Sequence, residues 1–410
     1  MDFIQRGAMS YFVFLMCFLF FNQVEARSPQ EIVQLALAHS EFISASELEQ
    51  KAIEFDAIAK KKWQNPQVMT QIGGLKTGTM SGETIELTIT QPIPLNQKYS
   101  LRGKLADKLG EINALDIQSK RNWVSHQAIL SAWKVKIYSA LGKHINERKE
   151  RMRLAKIYIS KRPQVTAKHI VEAQIIGNQI RILENSLLMN LAEIEMAQSE
   201  LEYWTGVKIS PDELDFSFPK LNELNFNQQF VAKKNLETVV AEKRVEIASL
   251  DSQMSKKEKF PDLIIGGGYR VEKVSPENHF SYGMLGISIP IWDTGENRVQ
   301  AANARLKKEE KVLVEKKKSV EMEIGKYQSM MVYFKGLFSS VFFDDVKEQE
   351  KILGIAENGF KQGVIDINTF LQTEVQTHEI IDQIYLNWMR YLETVSHYNI
   401  TTGEELKWTR

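Results

Sequence analysis

Cysteine is nearly absent from this chain. There is one, Cys17, in 410 residues. No disulfide can form within a single copy. The residues before it, Leu15-Met16, lack the small side chain expected ahead of a lipidated cysteine, so a lipid anchor is not expected. Net charge is absent too: Lys+Arg and Asp+Glu are both 52. That balance gives no electrostatic basis for a nucleic-acid partner. No apolar run approaches the roughly 20 residues that a membrane-crossing helix needs. The seven histidines, His39, His126, His144, His169, His279, His378 and His397, have no metal-site spacing with one another. No nucleophile–base pair is legible, so no catalytic residue, resident metal or cofactor is assigned.

The longest apolar stretch runs from Tyr11 to Phe21, after Arg6 and ahead of Val24-Glu25-Ala26. That order reads as a secretory signal peptide over residues 1–26, with a short N-terminal anchor as the alternative. Without that segment the chain holds no thiol and can fold in an oxidising compartment.

The rest of the chain repeats itself. Pro94 and Pro290, Arg102 and Arg298, and Ala106 and Ala302 are each 196 positions apart. Asn65-Pro66 and Phe260-Pro261 lead into β-type segments, and Thr205-Gly206 and Thr402-Gly403 end helical ones. Landmarks of three kinds at nearly one offset indicate a duplicated unit. The first repeat spans 27–207: a helix from Arg27 to Trp63, a hairpin over 66–93 and long helices over 97–204. A linker follows over 208–233. The second repeat spans 234–403, with a helix, a hairpin over 261–290 and long helices over 297–399; the tail is 404–410.

Thr84 to Thr90 alternates strictly, with Ile85, Leu87 and Ile89 on one face and Glu86 on the other. Val68 to Leu75 is its expected partner. From Leu101 to Tyr158 only Gly103, Gly110 and Gly142 interrupt a helical spacing, which predicts a rod of about 80 Å. Heptads follow at Ile180, Leu187, Ile194 and Leu201, and at Leu183, Asn190, Ala197 and Trp204. Asn297 to Asn358 reads as another long helix, Phe360 to Gly363 as a break, and Asp366 to Asn399 as the last helix. Two hairpins with no evident sheet to join within the chain suggest that several copies pool them in a closed barrel; a soluble sheet packed on the helices is the alternative. Asp293-Thr294-Gly295 matches an aspartic-protease triplet, but the repeat offers no second aspartate, so a strand-to-helix turn is expected. Gly266-Gly267-Gly268 lacks a following Gly-Lys-Ser/Thr and reads as a strand where backbones approach closely. The basic excess between Lys143 and Lys168 reads as a solvated face or as a collar for an acidic partner.

These features in this order resemble the TolC-type outer membrane efflux family. The resemblance is carried by Glu31 to Ala38, Asn65-Pro66, Gln91-Pro92-Ile93, Ile289-Pro290-Ile291, Asn297 to Ala304, and Phe360-Lys361-Gln362-Gly363 followed by Asp366 to Leu371. The layout is similar to the heavy-metal efflux subgroup, although Leu95-Asn96-Gln97-Lys98 departs from its Gly-Gly-Lys-Arg stretch. The resemblance implies a mainly α fold with a small β part: a long coiled-coil barrel plus a transmembrane β-barrel shared by a homotrimer, four strands from each protomer. It implies a passive outer membrane channel extending into the periplasm, served by a periplasmic adaptor and an inner-membrane transporter of the resistance-nodulation-division type. Cargo would be small substrates, metal cations or drugs. A periplasmic coiled-coil scaffold or adaptor without a pore remains the alternative. The implied periplasmic tip comprises the turn at Pro163 and Thr166 and the turn at Phe360 and Gly363. Asp366, Thr369 and Gln372 would line it, with Glu374 a neighbouring acid, and Glu86 would face the barrel lumen.

Overall fold

The computed structural model describes residues 26–77, 80–161, 166–224, 235–273, 275–288 and 294–403. The proposed signal peptide up to residue 25, Pro163, Asp293 and the stretch Ile289-Pro290-Ile291 lie outside them. The elements are α1 (Pro29–His39), α2 (Glu41–Lys60), β1 (Gln67–Thr77), β2 (Met80–Ile93), α3 (Lys98–Ser160), α4 (Ala167–Thr205), α5 (Leu236–Glu258), β3 (Asp262–Lys273), β4 (Asn278–Ser288), α6 (Glu296–Ser340), α7 (Val346–Lys361) and α8 (Ile367–Thr402). Helix, hairpin and long helices occur in the same order twice.

The 63 residues of α3 make a rod of about 95 Å. Both post-hairpin helices start from a left-handed residue: Gln97 (φ 66°) before α3 and Gly295 (φ 71°) before α6. Gly295 therefore does the work of a turn. Gly206 and Gly403, both at φ 71°, end α4 and α8, where glycine meets no Cβ penalty.

Two helices are shorter than the spacing predicts. Ser40 breaks the first, with ψ at 102°, because its hydroxyl accepts the Ile43 N–H and caps a new helix. The segment 297–358 is likewise interrupted. Val341 is extended, and the Phe342 N–H donates to Asp345 Oδ2 at 2.7 Å. The break lets Phe342 turn inward against Phe338 and Trp388.

The two hairpins do not stay separate. β2 pairs antiparallel with β3, giving one sheet in the order β1-β2-β3-β4. Register carries side-chain facing across it: Ile72↔Ile85↔Val271, and Val68↔Ile89 with Leu87↔Tyr269. Leu263↔Ile287 and Ile265↔Leu285 continue the same face. This apolar face lies opposite one carrying Gln71, Glu86, Thr88 and Arg270. The strands pack principally on one another and not on the helices. Val68, Ile72, Leu87, Ile89, Ile265, Leu285 and Ile287 are consequently exposed.

The helices hold two apolar cores. One joins Ile32, Trp133, Leu201, Phe338, Phe342 and Trp388, and reaches Ile209, Leu214 and Phe216 beyond α4. The other, at the far end of the long helices, joins Met152, Ile159, Ile176, Leu183, Phe360 and Phe370. Among the described residues no helix is long and apolar enough to cross a membrane.

Candidate functional site

The end of the bundle is built from the reversal between α7 and α8. Phe360 is buried and stacks on Phe370, with centroids 5.0 Å apart and planes at 12°, and it meets the Tyr158 ring edge-on. The Tyr158 hydroxyl donates to the Lys361 carbonyl, tying α3 to the reversal. Gly363 is left-handed at φ 76°, and its N–H donates to the Phe360 carbonyl at 3.1 Å. No atom stands within 4 Å of where its Cβ would be, so glycine is there for its backbone and not for space. Gly359 is the opposite case: a Cβ there would meet the Ile365 side chain at 2.7 Å. Sequence reading missed Gly359, because a close approach between residues six apart has no local signature.

Asp366 caps α8. Its Oδ1 accepts the N–H groups of Asn368 (2.8 Å) and Thr369 (2.9 Å), and its Oδ2 accepts the Thr369 hydroxyl at 3.2 Å. The Thr369 N–H above all holds this carboxyl below its usual range. It therefore stays ionised as a fixed negative charge at a helix N-terminus. Asp366, Thr369 and Gln372 are all exposed, and the intervening Ile367 and Phe370 are buried. The three thus share an outer face of α8. Glu374 does not join them. It is fully buried and turned toward Arg148 of α3. Thr166 caps α4, its N–H donating to His169 Nδ1 at 3.3 Å.

On the polar face of the sheet, the Tyr282 hydroxyl donates to Glu86 and lies 3.0 Å from the Thr88 hydroxyl. Tyr282 reaches two strands across because β3 has glycine beneath its ring: a Cβ at Gly268 would collide with that hydroxyl. Arg270 and Glu272 pair at 2.8 Å on the same face. The triple glycine is thus a place of close approach.

One surface escaped the sequence reading. Ile175, Ile182, Met189, Met196 and Tyr203 are seven residues apart along α4, and all are exposed. The heptads noted in the sequence fall elsewhere. Leu183, Asn190, Ala197 and Leu201 are buried against the rest of the chain, whereas Leu187 and Ile194 are half-buried. The signal for the outer stripe was present as a heptad, and was masked by the two inner ones.

No family model and no curated protein matches the chain. Solved structures do. The outer-membrane channel OprN matches with a TM-score of 0.73 at 13% identity, over 92% of this chain and 90% of that one. The outer membrane protein VceC of Vibrio cholerae matches with a TM-score of 0.72 at 12% identity, over 92% and 96%. The MtrE outer membrane channel of Neisseria gonorrhoeae, in its open state, matches with a TM-score of 0.72 at 11% identity, over 92% and 89%. With its long paired helices and, among the described residues, one four-stranded sheet, this chain has the fold of the TolC-type outer membrane channels.

Proposed function

We propose that this chain is the outer membrane duct of a tripartite efflux assembly, passing small substrates, metal cations or drugs, across the periplasm and outer membrane without energy of its own. The observation that carries the reading is the sheet. Among the described residues its edges, β1 and β4, pair with no further strand, and nothing covers its apolar face. An even number of antiparallel strands leaves β1 and β4 antiparallel, so copies can join edge to edge and close. Strands of 11 to 14 residues meet the roughly 9–11 that a tilted transmembrane strand needs. Two copies would make a barrel of about eight strands, filled by its own side chains. Three copies, as the resemblance implies, leave a lumen lined by the Glu86 face. The exposed α4 heptad supports the same assembly, since an unpartnered apolar seam of this kind packs against another helix.

The helical end, with Asp366, Thr369 and Gln372 repeated around the axis, would form the periplasmic constriction, where an adaptor joins the duct to an inner-membrane transporter. The test is threefold. The protein should fractionate with the outer membrane and resist salt extraction. It should run as a heat-labile trimer. It should conduct ions in a planar bilayer. A monomer released by salt would instead support the pore-free scaffold.

A further inference from the structure

A cluster of titratable side chains lies between α3 and α8, apart from the residues of the reversal. His144 Nε2 and His378 Nδ1 are 2.6 Å apart, so one imidazole donates its N–H to the lone pair of the other. The other ring nitrogen of His378, Nε2, is 3.2 Å from Glu374 Oε1 yet off the hydrogen-bond axis. Arg148 Nε donates to Glu374 Oε1 at 3.0 Å, and its Nη1 is 3.8 Å from Asp382 Oδ2. The side chains of His378 and Glu374 are 1% and 0% exposed. Among the described residues no group of three or more His, Cys, Asp or Glu is arranged to hold a metal ion. The 2.6 Å gap between the rings is already filled by a hydrogen bond.

That geometry makes the pair sensitive to protons. With both rings neutral, one N–H occupies the gap. A first added proton puts a charge in a site where His378 is buried and His144 half-buried. A second leaves both gap nitrogens carrying hydrogen, and the contact becomes repulsive. Burial is the main force holding both imidazoles below their ordinary range. Arg148 and Arg151 of α3 add to it, and Glu374 of α8 opposes it in part. The remaining charged groups stand further out: Asp382 beyond Arg148, and Glu357 of α7, 3.8 Å from Arg151. Among the described residues, His378 Nε2, Arg151 Nη1 and Asp382 Oδ1 have no hydrogen-bond partner, so the network is incompletely paired. A fully paired buried network would be more rigid.

We propose that the His144–His378 pair is an acid-sensitive latch: when its imidazoles take up protons, α8 is released from α3. The direction follows from linkage. A packed state that binds fewer protons than its hydrated alternative is at full strength above the ordinary imidazole range, near pH 6.5. It weakens as pH falls through that range, by up to about tenfold per pH unit per histidine. Because α8 carries Asp366, Thr369 and Gln372, its release would widen the constriction; only this consequence rests on the duct reading.

The test uses the full chain with Cys17→Ser and a single reporter, Thr377→Cys, at a buried position of α8. Maleimide labelling is measured from pH 7.5 to 4.0 and normalised to Gln376→Cys, at an exposed neighbour. The normalised rate should rise at least about tenfold across that range, and stay flat when His144→Gln and His378→Gln are added. A flat rate with both histidines present overturns the latch, as does an equal rise in the double variant. So does a rise confined below about pH 4.5, where carboxylates titrate; that criterion holds even if the double variant does not fold. Bilayer conductance of the same protein separates the two readings. Conductance without pH-dependent labelling overturns the latch alone. Labelling that follows pH in a protein that never conducts supports the latch and overturns the duct.

Discussion

At the scale of single residues, several positions are set by backbone geometry or by one close neighbour. Asn96 (φ 58°) and Gln97 (φ 66°) hold left-handed conformations at the start of α3, where the second repeat has Gly295. Left-handed backbone costs a non-glycine residue about 1–2 kcal/mol, part of which the unfolded-state entropy of glycine offsets. Gln97→Gly should therefore stabilise the protein by up to about 1 kcal/mol, seen as a higher thermal midpoint by circular dichroism. Gly142 is held by a different cause. A Cβ there would lie 2.6 Å from Asn190 Nδ2, which donates to the Tyr138 carbonyl at 2.9 Å. Gly142→Ala gains roughly 1 kcal/mol of helix propensity but displaces that amide, leaving a buried polar group unpaired at about 1–3 kcal/mol. The net change should be destabilising. In an Asn190→Ala background the same change should be neutral or stabilising, so a double-mutant cycle should show coupling. Additivity would mean that the amide simply moves aside.

Among the elements, the sheet gives the sharpest contrast. Leu87 and Glu86 are neighbours on opposite faces, one apolar and uncovered, the other bonded to Tyr282. If the apolar face meets lipid, Leu87→Arg should cost roughly 2–4 kcal/mol near the bilayer midplane and lower the yield of inserted protein. Glu86→Gln should insert normally and change conductance. Equal insertion of Leu87→Arg and Glu86→Arg would count against this facing. The helix pairs behave differently, because their apolar residues are shared between an inner seam and an outer stripe. Sequence periodicity shows that both are apolar. Only the packing shows that 183, 190, 197 and 201 are covered while 182, 189 and 196 are not.

For the whole molecule, the uncovered surfaces call for more copies. Met189 is 73% exposed and Met196 65%, although thioethers on a helix normally find an apolar partner. If the chain assembles as the proposed trimer, the paired substitution Met189→Asp with Met196→Asp should leave protomer helicity unchanged and shift the trimer to monomer on native gels. A trimer of undiminished heat stability would place the interface elsewhere.

What the sequence determined by itself is what rests on local pattern. The alternation of Thr84 to Thr90, the long glycine-poor helices and the turn at Gly363 all follow from periods and backbone preferences read within a few residues. Three things needed the tertiary structure. The union of the hairpins through β2 and β3 depends on residues nearly two hundred positions apart meeting in register. The helix break at Val341 depends on an aromatic core that draws Phe342 inward. The His144–His378–Glu374–Arg148 cluster joins two helices whose residues are 226 to 234 positions apart, and no spacing within either helix announces it. Local preference is written along the chain. Burial, which decides which acid caps a helix and which is locked inside, exists only once distant segments have packed.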